Sequence, residues 1–143
     1  QTLASCSLDG TLKLWNVHTG ECLKTLQITS GWLLSIAFSP DGKTLAGSCQ
    51  DGTIKLWSLD TYECIKTLSG HNAGSIWSIV FGNDSQVLVS GSEDETIKLW
   101  NVRTGDCLKT MKVKNLYQGL NLKRVSSLTE ATKLGLKTLG AVD

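Results

Sequence analysis

A single proline stands among 143 residues, with two histidines and only 6% aromatic side chains. Charge of either sign is barely in excess, since 14 Lys and Arg face 13 Asp and Glu. A chain this close to neutral makes no field strong enough to collect nucleic acid or an anionic membrane, so neither is an expected partner. No apolar run approaches the ~18 residues that a membrane span needs. There is no basic-then-apolar leader, and the chain opens on Gln1 within a strand-like pattern, which predicts a start cut from something longer. Five cysteines cannot all pair and no Cys-x-x-Cys is present, so a reduced, cytoplasmic protein is expected. Neither His18 nor His71 has a Cys or His at ligand spacing, so no metal and no cofactor are expected.

Self-similarity organises what is present. Trp15, Trp57 and Trp100 are separated by 42 and 43 residues, and Asp9, Asp51 and Asp94 keep the same spacing. Gly10–Leu26 matches Glu95–Met111 at 12 of 17 positions, and Gly52–Leu68 is the middle copy. Cys22, Cys64 and Cys107 recur in step, a pattern that suits a small buried side chain. The second copy predicts strands over Trp32–Ser39, Thr44–Ser48, Thr53–Ser58 and Glu63–Leu68. They are divided by Pro40-Asp41-Gly42, by Asp51-Gly52, and by Thr61-Tyr62, a weaker turn than Thr19-Gly20 or Thr104-Gly105.

Four antiparallel strands per copy make one sheet, apolar on both faces. Burying a side chain such as Ile54, Leu56, Trp57 or Ile65 is worth ~1.5–3 kcal/mol. Several left in water would rival the ~5–15 kcal/mol stability of a domain. Such sheets therefore need neighbours on both sides, and rings of ~4–8 blades provide them. Three copies are too few to close a ring. The expected organisation is a partial blade over 1–26, blades over 27–68 and 69–111, and a tail over 112–143, with further repeats upstream. A second chain completing the ring is the alternative.

Gly70-His71, the strand Val87–Ser92, Asp94 and Thr96–Trp100 carry a resemblance to the WD-40 repeat family. The turn Ser39–Gly42 and the TGECLKTL-type strand add to it. The resemblance implies an all-β fold of β-propeller blades, each a four-stranded antiparallel sheet. About three blades would form an incomplete ring. This sequence departs from the family pattern where Asn16, Ser58 and Asn101 follow the tryptophans in place of Asp. The resemblance also implies a buried hydrogen-bond network of His71, Ser90, Asp94 and Trp100. In the second copy Gly47 replaces the serine and no histidine precedes it; the first copy keeps Ser5, Asp9 and Trp15.

Several patterns mimic catalytic chemistry. His71, Ser90 and Asp94 spell a hydrolase triad, but the serine lies mid-strand without Gly-x-Ser-x-Gly. Gly42-Lys43-Thr44 resembles the end of a phosphate loop, but Ala37 stands where a glycine is needed. Asn83-Asp84-Ser85 fits a glycosylation acceptor and also matches the Ser39–Gly42 turn. His18 reads as a surface residue, and Glu93-Asp94-Glu95 as a solvated acidic turn. No enzyme is expected.

Binding residues favour loops on a rigid scaffold. The resemblance places a partner-binding rim at Trp32, Leu34 and Gln50 and, one copy later, at Ser75, Trp77 and Glu93. The alternative is that Trp32 and Trp77 pack between blades, as Trp15, Trp57 and Trp100 are expected to do.

Residues 1–111 carry 8 basic and 11 acidic side chains, whereas 112–143 carry 6 and 2. In this tail Asn115–Leu122 could be extended, Ser127–Glu130 is a helix-start box and Gly140 a stop. A short helix ending at a true C-terminus, Asp143, is expected there, with one face docked. The tail resembles the ending of large cyanobacterial-type WD-40 proteins joined to an NB-ARC-like nucleotide switch. The expected function is a protein–protein interaction scaffold or sensor without catalysis. The alternative is the sensing end of an ATP-dependent signalling switch.

Overall fold

The computed structural model describes residues 2–28, 31–72 and 74–112. Two compact units divide the chain, Gln1–Met111 and Lys112–Asp143. Apart from the last residue of the final strand, everything below concerns the first. The expected extended stretch and helix of the tail lie outside the described residues.

The described residues are all β. The first sheet holds β1 (Thr2–Cys6), β2 (Thr11–Asn16) and β3 (Cys22–Gln27). The second holds β4 (Leu33–Phe38), β5 (Thr44–Cys49), β6 (Thr53–Ser58) and β7 (Cys64–Ser69). The third holds β8 (Ile76–Phe81), β9 (Val87–Ser92), β10 (Thr96–Asn101) and β11 (Cys107–Lys112). Each sheet is a meander in which neighbours in sequence are neighbours in space. The leading strands β1, β4 and β8 approach one another, which makes them the inner edge of the stack.

Turn chemistry sets the strand boundaries. Asp51 accepts hydrogen bonds from the Thr53 amide at 3.0 Å and the Thr53 hydroxyl at 2.6 Å, with Gly52 between them at φ +80°. A Cβ at Gly52 would come within 3.1 Å of the His71 carbonyl oxygen. Asp9 and Thr11 repeat the device. Asp94 and Thr96 do so too, although Glu95 there takes φ 63° without being glycine. Tyr62 likewise adopts φ 62°, where the sister turns have Gly20 and Gly105. A left-handed tyrosine costs about 1–2 kcal/mol. Its ring offsets this by packing against the neighbouring core and lying 5.4 Å from the Lys24 ammonium of the first sheet.

Two apolar clusters fill the spaces between sheets. Leu12, Leu14 and Ile28 of the first sheet side meet Leu33, Leu45, Cys49 and Trp57 of the second. Ala46, Ile54, Leu56 and Leu68, on the opposite face of the second sheet, meet Ile76, Ile79, Phe81, Leu88 and Trp100 of the third. Trp57 and Trp100 are therefore each sandwiched between sheets, as expected. Trp15, in the first sheet, is only half-buried.

Two expectations of burial fail: Ile65, on the outermost strand of the second sheet, is 54% exposed, and the recurring cysteines are in solvent. Cys22, Cys64 and Cys107 are exposed, not buried. Each begins the outermost strand of its sheet, and in the first two sheets it pairs with the tryptophan at a register shift. The thiols bond locally to the carbonyl oxygens two residues on. Recurrence in step marked an equivalent position, not a buried one. Cys49, by contrast, is fully buried, and burial pushes the half-covered Cys6 thiol up from its usual range.

Candidate functional site: a closed polar network and an open rim

The structure brings His71, Ser90, Asp94 and Trp100 together in the third sheet. The Trp100 indole donates to the Ser90 hydroxyl oxygen at 2.8 Å, and that hydroxyl lies 2.7 Å from His71 Nε2. His71 Nδ1 lies 3.0 Å from Asp94 Oδ2. One assignment satisfies every atom: Nδ1–H donates to the carboxylate, and the Ser90 hydroxyl donates to the bare Nε2. Thr96, which the sequence reading missed, completes the set. Its hydroxyl donates to Asp94 Oδ1 at 2.6 Å and lies 3.0 Å from His71 Nδ1. A threonine two residues after the turn Asp in all three copies was the available signal.

Burial opposes the charge on Asp94. Hydrogen bonds from the Thr96 hydroxyl, His71 and the amides of Thr96 and Asn72 outweigh it and hold the carboxyl far below the usual range. The network is sealed. The Ser90 residue is 1% exposed and its oxygen already carries the indole N–H, so no substrate carbonyl can reach it.

The second sheet solves the same problem without polar groups. Gly47 stands opposite Lys55 where the third sheet has Ser90 opposite Lys98. A Cβ at Gly47 would lie 2.8 Å from the Trp57 ring and 2.9 Å from Leu33, so the indole occupies the room a side chain would take. The serine stands one position later. Ser48, on the other face, is fully buried and donates to the Ile76 carbonyl oxygen of the third sheet at 2.8 Å.

The rim residues lie at the edge where β4 and β8 begin. The Gln50 amide donates to the Trp32 carbonyl oxygen at 3.0 Å. The Glu93 amide donates to the Ser75 carbonyl oxygen at 2.9 Å, and the Ser75 amide to the Glu93 carboxylate at 3.3 Å. Leu34 and Trp77 are the residues skipped at matching register shifts of β4 and β8. Such bulges re-aim a side chain out of the ladder. Trp32 is 47% and Trp77 60% exposed, and neither belongs to an inter-sheet cluster. Gln50 and Glu93 are exposed, Leu34 is half-buried and Ser75 is buried. A recess of about 120 Å³ between the first two sheets, lined by Gln27, Ile28, Lys55, Trp57 and Cys64, falls well short of the ~300–1,000 Å³ typical of small-molecule sites. Among the described residues, no three His, Cys, Asp or Glu side chains group as a metal set, and no helix is long and apolar enough to cross a membrane.

Known proteins share this architecture. A solved structure, "Structure of U3-55K", superposes with a TM-score of 0.73 at 26% identity, covering 78% of this chain and 36% of that one. Nuclear distribution protein PAC1 of Arthroderma benhamiae is 49% identical over 41 residues, which are 29% of this chain and 9% of that protein. F-box-like/WD repeat-containing protein TBL1X of Mus musculus is 51% identical over 41 residues, 29% of this chain and 8% of that protein. The matches thus span under a tenth of these two curated relatives and about a third of the solved structure. The family described as WD domain, G-beta repeat matches residues 1–16, 20–58 and 62–101. Its second and third matches each take in the last strand of one sheet and the first three of the next. With more than half its length matched and its sheets laid out as successive propeller blades, the chain belongs to the WD40 repeat family.

Proposed function

We propose that this chain is a protein-interaction module: blades of a WD-repeat propeller serving as a scaffold or sensor, in the cytoplasm, with no catalysis of its own. The binding surface is the rim of Trp32, Leu34, Gln50, Ser75, Trp77 and Glu93. His71, Ser90, Asp94 and Trp100 are structural and stiffen the third blade. Further WD repeats upstream in the same polypeptide cover the faces of the first and third sheets that point away from the second.

The observation carrying this reading is the exposure of Trp32 and Trp77 beside polar groups at one edge of a rigid stack. Apolar surface of that kind in a soluble domain marks an interface. The narrower reading, that the parent is an ATP-dependent NB-ARC-like switch and this piece its sensing end, draws on the tail sequence. A Gly-x-x-x-x-Gly-Lys-Ser/Thr loop upstream would favour it.

The test is affinity capture with the whole chain, comparing Trp32→Ala and Trp77→Ala with Arg103→Ala on the opposite edge. Partners lost with the tryptophan variants alone, at unchanged thermal stability, support the rim. Partners lost with Arg103→Ala alone, or unfolding of the tryptophan variants, overturn it.

A further inference from the structure

The charge around the two exposed tryptophans narrows what this edge can bind. The turns here are those joining β1 to β2, β5 to β6 and β9 to β10, together with the segments that lead into β4 and β8. They contain five acidic side chains, Asp9, Asp51, Glu93, Asp94 and Glu95, and no lysine or arginine. The opposite edge also has acidic turns, but Lys43 and Arg103 are mixed among them and no tryptophan lies there. Two of the carboxyls at the tryptophan edge, Asp9 and Asp94, are held below their usual range. The Thr11 hydroxyl and amide keep Asp9 below its usual range, with Ser7 and the Lys13 charge adding to this, and Asp94 is held low as described.

Among the lysines of the adjoining strands, Lys13 does lend its charge to Asp9, but Lys98 is turned to another partner. Lys98 is buried, with its ammonium 2.8 Å from the Thr110 hydroxyl. Lys13 also donates to Thr25 at 3.3 Å and lies 5.9 Å from the Trp15 ring centre. Glu93 sits one hydrogen bond from Ser75, two residues before Trp77, and its side chain is exposed. An indole face and a carboxylate on the same edge suit a guanidinium, which stacks on the first and forks onto the second.

We infer that the rim takes an arginine-bearing polypeptide segment, with Trp77 and Trp32 supplying stacking faces and Glu93 and Glu95 the counter-charge. This deepens the rim reading and rests on it. Electrostatic attraction of that kind acts over about 10 Å at 0.1 M salt and speeds encounter as well as holding the complex.

The test uses the whole chain and three synthetic 12-residue peptides, identical except that four positions carry Arg, Gln or Glu. Binding is followed by backbone amide shifts in two-dimensional NMR. The arginine peptide is expected to shift Trp32, Gln50, Trp77 and Glu93 and to bind at least ~10-fold more tightly than the glutamine peptide. Trp77→Ala and the double variant Glu93→Gln, Glu95→Gln should each weaken it ~5-fold, and added salt should weaken it further. If the glutamine peptide binds the same residues equally well, the rim stands and the arginine assignment falls. If shifts fall on the opposite edge, or no peptide binds, the inference is overturned. Since the acidic side chains are exposed, the double variant should fold even if Trp77→Ala does not.

Discussion

The second and third sheets contain almost the same strand, Thr-Ile-Lys-Leu-Trp, and hold its tryptophan in opposite ways. Trp100 is anchored through its N–H to Ser90, and through Ser90 to His71 and Asp94. Trp57 is anchored by shape, its ring filling the space above Gly47. Both are buried to within a few per cent. A repeat therefore conserves the position of the apolar mass, while the means of fixing it varies from copy to copy. The polar solution is directional and fails abruptly if one member is lost. The steric solution tolerates loss of polar groups and fails when volume is added.

The largest effect should come from removing either indole. Trp57→Ala and Trp100→Ala should each cost ~3–5 kcal/mol in chemical denaturation, with Trp15→Ala well below both because that ring is half-exposed. Equal losses at all three would mean that inter-sheet burial does not set their contribution.

Asp94→Ala should cost ~2–4 kcal/mol, because it strands His71, Asn72 and Thr96 donors, against ~1 kcal/mol for Asp51→Ala, whose carboxylate serves Thr53. Equal losses would erase the distinction between the two blades. Gly47→Ser sharpens it from the other side. Copying the serine of the third blade into the second should destabilise by ~1–3 kcal/mol, since Trp57 and Leu33 already occupy the space. A gain in stability would show that the indole can move aside.

Acid should act through the third blade. The Asp94 carboxyl is held below its unfolded value, so the unfolded chain binds its proton first as pH falls. Its contribution is fully present above the unfolded carboxylate range, near pH 3.9, and is lost as pH drops below that toward the folded value. Asp94→Asn should flatten this loss in an acid titration followed by circular dichroism. The smallest effect belongs to Trp77→Ala, within ~0.5 kcal/mol, because that ring contributes to neither core. A larger loss would move it from the rim into the packing.

The sequence by itself determined the repeat, the strands and the turns, because these depend on local chemistry. Alternation sets which face a side chain takes, and Asp–Gly–Thr sets where a strand begins. The strand expected over Trp32–Ser39 is observed at Leu33–Phe38, and Thr53–Ser58 matches to the residue. The neighbours of His71 could be named only because the resemblance to the WD-40 repeat family implied such a network, which one copy alone carries in full. What only the tertiary structure decided is what depends on distance between sheets. It showed that Ser48 reaches the backbone of the next sheet, that Gly47 is filled by Trp57, and that Cys22, Cys64 and Cys107 lie on the outer edge in solvent. It also turned Trp77 outward on a bulge. Each of these turns on shifts of one residue or a few ångströms, and period-two patterning assigns a face without saying what, if anything, stands against it.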